Sequence, residues 1–259
     1  MIEAAPAIKA CCAAAYSTAA ARFLLGDSFH PGGRALTAEL IGALGVGPDD
    51  TVVDVASGPG TSAIQVARAT GCRVIGVDLS PANVASAAAA ADAAGCSDRV
   101  RFVQGDAEAL PLDTGTLDGA LCECALCTFP DKPQAVRELA RVLRPGARLG
   151  LSDMTADVER LPPELTDLEA WVACIADARP LPELVGLLED VGLAVDRAEA
   201  RTGVVDELLL RVEARVNLAA MFRTPLAREA AADALGLVSA ARRAVSDGIL
   251  GYAVVVARR

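Results

Sequence analysis

Residues 51–79 read TVVDVASGPGTSAIQVARATGCRVIGVDL, and this stretch leaves the backbone few choices. A β-branched run ends in small residues, and helical spacing follows until Gly71; a second buried-type strand, RVIGVDL at 73–79, comes next. Gly58 and Gly60 fall between strand and helix, where only a residue without a side chain lets a ligand press against the backbone. Ser80-Pro81 supplies an N-cap and a first-turn proline for a helix through Ala94. VRFVQGD (100–106), LDGALCEC (117–124) and RLGLSDM (148–154) are further strands. A helix over 131–143 precedes the last of them and stops at Arg144-Pro145-Gly146. Strands and helices alternating at this interval build βαβ units: an α/β fold with a mostly parallel sheet and helices on both faces.

The flanks are more helical. Residues 1–47 read as an alanine-rich helical cap that turns through 26–33. After the core at 48–155, residues 161–176 and 181–191 read as helices and 193–201 as a strand. Residues 205–247 read as helical with an interruption at Pro225, and ILGYAVVVAR (249–258) as a closing strand. The expectation is one domain over 1–259, with 156–259 forming substrate-side helices and closing strands. A net charge of −10 argues against a nucleic-acid partner. The chain lacks any apolar run near the ~18 residues a membrane span needs, and its first residues, MIEAAPAIKACC, lack a signal peptide's basic start. It reads as cytoplasmic, with its eight cysteines reduced.

The glycine turn admits two cofactors. Gly58-x-Gly60-x-x-Ala63, with Asp78 at the end of the next strand, satisfies the dinucleotide fingerprint and leaves an NAD-dependent oxidoreductase open. The other reading is S-adenosyl-L-methionine (SAM). Asp54 lies ahead of the glycines, GDAEALP (105–111) follows the third strand, and ELARVLRPGARLGLSD (138–153) follows the fourth. Together these segments resemble the class I SAM-dependent methyltransferases over roughly residues 45–155. That resemblance implies a Rossmann-like sheet of seven strands, the last antiparallel. It assigns Asp54, Ser57, Gly58 and Gly60 to the first cofactor motif, Asp78 and Leu79 to the ribose side, Asp106 and Ala107 to the adenine side, and Glu123 to the cofactor's edge.

CECALCTFPDK (122–132) closes the fourth strand, at the mouth of such a site. Strand alternation sends Cys122 and Cys124 to one face and Glu123 to the other, as far as strand geometry persists. ECALCTFPDK, LSDM and AWVACIADARPLPELVGLLEDVGL are similar to segments of the arsenite methyltransferases. That resemblance implies trivalent arsenic, or a related thiophilic metalloid, as the substrate, held by the thiolates of Cys124 and Cys174. Such a soft centre prefers sulfur and keeps a lone pair for an incoming methyl group. No general base is required, and His30, the single histidine, lies far from these motifs in the sequence. The cysteine these enzymes carry before the glycine motif is missing. The third sulfur is left to Cys11 or Cys12, to Cys122 or Cys127, or to a thiol cosubstrate such as glutathione.

Other readings stay open. The cysteines can be small apolar packing beside an ordinary thiol, oxygen or carbon acceptor. They can also make the chain a non-catalytic sensor of soft metals. Cys72 and Cys96, away from the mouth, read as structural; Trp171 reads as a helix anchor or a pocket wall.

Overall fold

The computed structural model of the chain describes residues 5–26, 28–167, 174–201, 203–221 and 225–259. Seven strands form one sheet: β1 Thr51–Val55, β2 Arg73–Asp78, β3 Val100–Gln104, β4 Leu117–Glu123, β5 Leu143–Ala156, β6 Ala194–Ala200 and β7 Leu250–Arg258. Their order is β3-β2-β1-β4-β5-β7-β6. The first five pair in parallel, and β7 runs antiparallel to both β5 and β6. A parallel strand covered on both faces needs apolar residues on both, and β1 is buried from Val52 through Val55.

Two apolar clusters sandwich the sheet. On one side, Leu40 of α3 (Gly33–Leu44) and Val66 of α4 (Thr61–Thr70) pack with Val52 and Leu121, joined by Ala91 of α5 (Pro81–Ala93). On the other, Leu139 of α6 (Lys132–Val142) and Leu188 of α7 (Leu181–Glu189) cover Val53, Ala120 and Cys122. The helix starts follow local chemistry: Ser80 Oγ accepts from the Asn83 amide to cap α5, and Asp131 caps α6 through the Gln134 amide at 2.9 Å. Cys72 and Cys96 lie buried in the first cluster, as expected of structural thiols.

The cap consists of α1 (Ala5–Tyr16) and α2 (Ala19–Leu25). The late helices α8 (Val204–Ala220) and α9 (Pro225–Ser246) pack on each other, and α8 also packs on α2. Pro225 therefore opens a helix, where its missing N–H costs nothing. Strand β5 begins five residues ahead of its expected start. Leu143 already pairs with Leu117, and the Pro145-Gly146 turn is absorbed as an irregularity before Arg148 pairs with Gly119. The helix expected over 161–176 meets a short 3-10 turn, Pro163–Leu165, at its start and a turn at Cys174 near its end. Trp171 lies outside the described residues.

Because β2 lies on one side of β1 and β4 on the other, the chain reverses its winding between these two strands. A crevice opens beyond their carboxyl ends.

Candidate active site

A cleft occupies that crevice. Its floor is the turn after β1. The Ser57 amide donates to the Val77 carbonyl at 3.0 Å and the Gly58 amide to Asp78 Oδ2 at 2.8 Å, tying the turn to β2. Gly58 and Gly60 have φ of 52° and 82°. A Cβ at Gly60 would fall 2.5 Å from Phe102 Cζ, so this glycine lets the turn close against β3. Gly60 does not line the cleft. Gly58 does, and a Cβ there would have Phe29 as its nearest neighbour at 3.9 Å.

Asp54 is buried and accepts a hydrogen bond from the Ala63 amide, holding the first turn of α4 against β1. Its Oδ2 and the Ser57 Oγ, both on the cleft wall, have no protein partner. A buried carboxylate oxygen without a donor is costly. Two orphaned polar atoms beside an open backbone turn fit a cofactor that carries hydrogen-bond donors and a positive charge. Burial first, then the nearby Glu123 carboxylate, push the Asp54 carboxyl well above its ordinary range.

The other expected acids line the same cleft, though several already have partners. Asp78 spends Oδ2 on Gly58 and Oδ1 on the Ser80 amide and the Asn83 side chain, at 2.9 and 3.2 Å. Leu79 and Ala107 lie on the wall beside it. Asp106 is paired at 2.7 Å with Lys9 of α1, which also reaches Glu108. Sequence patterning carried no signal for Lys9. Glu123 accepts from Ser62 Oγ at 2.6 Å and from Thr37 Oγ1 at 3.1 Å. His30, distant from these motifs in the sequence, reaches the same cleft. It is buried on the cleft wall, its Nε2 3.7 Å from Glu123 Oε2, because the 26–33 turn folds back over the end of β4.

The thiols come together differently from the strand-alternation expectation. Cys122 points into the α6–α7 side of the sheet. Cys124 packs against the opposite cluster, so the two do not share a face. The reason is local: β4 ends at Glu123, and Cys124 takes φ 51°, which breaks the two-residue period. Cys174 has φ 64°. Apart from Ala56 in the cleft floor, these are the only non-glycine residues with positive φ among those described. Such backbone costs about 1–3 kcal/mol at each position and persists only where its surroundings enforce it.

The result is a cluster. The sulfurs of Cys124, Cys127 and Cys174 all lie within 4.8 Å of one another. Hydrogen bonds from Cys124 and then Cys127, assisted by Tyr16 and the charge of Lys132, hold the Cys174 thiol well below its usual range in spite of burial. Burial and its bonds to the other two thiols push Cys127 up. Cys124 is also raised: the bond from Cys127 pulls it down, but the Cys174 sulfur and burial outweigh it. The cluster thus favours a thiolate at Cys174, with the other two thiols as its donors. Tyr16 of α1 shares a 3.1 Å hydrogen bond with Cys174. Lys132 is buried, donates to the Cys127 and Phe129 carbonyls at 3.1 Å each and pairs with Asp177. Asp153 accepts from the Cys127 amide at 2.9 Å, and burial followed by the nearby Cys174 sulfur lifts its carboxyl to about 7.

Of the remaining candidates, Cys12 lines the cleft with its thiol pushed up to about 12 by burial and then by Cys174. Cys11 is half-buried and does not line it. Tyr16 escaped the sequence reading because nothing in its spacing marks it; Lys132 and Asp153 lie inside the segments that carry the arsenite resemblance, which gave them no role.

The strand order with its reversed β7, the glycine turn and the acids along the cleft define the class: the chain has the Rossmann-like fold of the class I methyltransferases. Residues 52–146 match the family model described as a methyltransferase domain. The chain is 32% identical over 173 residues to the 27-O-demethylrifamycin SV methyltransferase of Amycolatopsis mediterranei, covering 63% of this chain and 61% of that protein. It is 28% identical over 147 residues to an arsenite methyltransferase of Halobacterium salinarum, covering 56% and 37%. The chain thus spans less than two thirds of the length of either relative. Among solved structures, a putative sarcosine dimethylglycine methyltransferase from Galdieria sulphuraria superposes with a TM-score of 0.76 at 21% identity, over 86% of this chain and 83% of that one. No helix among the described residues is long and apolar enough to cross a membrane.

Proposed function

We propose that the chain transfers the methyl group of SAM to trivalent arsenic, or a related thiophilic metalloid, held by its cysteine thiolates. One observation carries this reading: three sulfurs from two distant segments converge within 4.8 Å, and one of them, Cys124, lies on the wall of the donor cleft. Cys124 and Cys174 are the two ligands the sequence pointed to. Cys127 takes the third place, which the sequence left open among four cysteines and glutathione.

Asp54, Ser57 and Gly58 would hold the amino-acid end of the donor, Asp78 and Leu79 the ribose, and Asp106 and Ala107 the adenine. Bound there, SAM supplies an electrophilic methyl group carried on a sulfonium. The protein's own part is positional. Thiolates bind arsenic as a three-sided pyramid whose free apex is the lone pair. Cys124, shared between cluster and cleft, fixes that apex relative to the donor. Alignment of this kind contributes about 7–11 kcal/mol toward a barrier. The low-lying Cys174 thiolate makes the first bond without a separate base. The buried Lys132, which anchors the Cys127 carbonyl, and Asp153, which anchors the Cys127 amide, keep the cluster in shape.

The test is incubation with arsenite, SAM and glutathione, with methylated arsenic read by mass spectrometry. Product that depends on enzyme and SAM supports the reading, and absence of product at every enzyme level removes it. Calorimetric titration with SAM and with NAD tests the donor separately.

A further inference from the structure

Lys9 ties α1 to the loop after β3 at the wall of the cleft. Its ammonium is paired with Asp106 Oδ2 at 2.7 Å and also with Glu108. Burial acts to lower its pKa, but the bonds and charges of the two carboxylates outweigh burial and raise it. The lysine therefore stays charged. An ammonium has three N–H groups, and these pairings use two of them. Asp106 accepts from the Glu108 amide through Oδ1 at 2.9 Å and from Lys9 through Oδ2. Each carboxylate oxygen can accept twice, so Asp106 has capacity left. Both side chains line the cleft. The wall thus presents a hydrogen-bond acceptor and a donor side by side, each pinned by other bonds so that they cannot exchange places.

A 6-aminopurine presents the complementary pattern: an amino group that donates beside a ring nitrogen that only accepts. We propose that Lys9 and Asp106 read this edge of the cofactor's adenine together. Asp106 accepts from the 6-amino group, and Lys9 donates to the ring nitrogen next to it. The inference rests on the placement of adenine at Asp106 proposed above and adds a contact from the N-terminal cap. A purine with a carbonyl at C6 would set one acceptor against another at Asp106, and a site built for hydrogen bonds rejects a ligand that leaves them unmade.

The experiment is calorimetric titration with S-adenosylhomocysteine and with its 1-deaza and 7-deaza analogues, in which N1 or N7 of the purine is replaced by C–H. One of the two analogues should bind the wild-type protein at least about tenfold more weakly than the parent, the loss of a charge-assisted hydrogen bond. Lys9→Met keeps the helix and the apolar stem but removes the ammonium. In this variant the parent should weaken, and the ratio of parent to analogue should fall toward one. If Lys9 only anchored α1, all three ligands would weaken alike and the ratio would persist. That result, or equal binding of the three ligands by the wild type, would overturn the inference alone. Asp106→Ala tests the placement on which it rests and should weaken S-adenosylhomocysteine at least about tenfold. Unchanged affinity in Asp106→Ala, or no binding to the wild type, would overturn the adenine placement as well.

Discussion

Tyr16 Oη and Cys174 Sγ, 158 residues apart in the chain, lie 3.1 Å from each other and share a hydrogen bond. The N-terminal cap therefore does more than cover the cleft: its last α1 residue touches the sulfur that the cluster makes most acidic. Removing this hydroxyl has a defined consequence. In Tyr16→Phe the Cys174 thiolate loses one donor, so its pKa rises toward the usual value and the thiolate fraction at neutral pH falls. A pH titration of thiolate absorbance should move to higher pH, and an unmoved curve would show that Cys124 and Cys127 suffice.

The two strained cysteines should be separable from the donor site. Cys124→Ser and Cys174→Ser should each weaken arsenical binding by more than about a hundredfold, equivalent to about 3 kcal/mol. SAM affinity, measured calorimetrically, should stay near wild type. Wild-type arsenical affinity in both variants would assign these thiols to packing.

If Asp54 holds the donor as proposed, it couples stability to cofactor binding. Its carboxyl is raised by burial and then by Glu123. Above the ordinary value of 3.8 and up to the raised one, the folded chain keeps a proton that the unfolded chain releases. Stability therefore falls as pH rises through that window. Asp54→Asn removes this penalty while its amide oxygen can still accept from Ala63. The variant should melt higher than wild type at neutral pH without SAM, yet bind SAM at least about tenfold more weakly, the loss of a charge-assisted hydrogen bond. A lower melting temperature at neutral pH would contradict the assignment.

Glu138 works in the opposite direction. Its bond from Arg141, helped by the Leu110 amide, holds it below the ordinary 4.5 against the effect of burial. The stability it contributes is fully present above 4.5 and is lost as pH falls through the lowered folded value. Because Leu110 lies just beyond Asp106 and Ala107, this contact also braces the loop after β3 on the cleft wall. Glu138→Gln should cost about 1–2 kcal/mol at neutral pH, and its denaturation curve should converge on wild type in acid. A deficit that persists unchanged at low pH would assign the loss to packing instead.

The glycine turn and the sheet around it were readable because each part is local. A β-branched run, glycines and an acid one strand later fix a turn over some thirty residues, and alternation of strands and helices fixes the sheet around it. The closing strand was equally plain, since 249–258 is apolar enough to be buried on both faces. Which cysteines share a site was only half legible. Family likeness marked Cys124 and Cys174, but strand periodicity placed Cys122 beside Cys124, and it failed where positive φ at Cys124 broke the period.

The same limit hid Lys9 and Tyr16, which reach the cleft from a cap whose sequence is mostly alanine and turn residues. Their bonds to Asp106 and Cys174 span 97 and 158 positions, and no periodic pattern encodes a pairing at that range. The sequence by itself determined the fold class and the glycine turn after β1, because backbone sterics and hydrophobic period act between near neighbours. Only the tertiary structure decided the trio of sulfurs and the pairing of Lys9 with Asp106. Those depend on how separately formed helices pack and on the strained backbone that this packing holds in place.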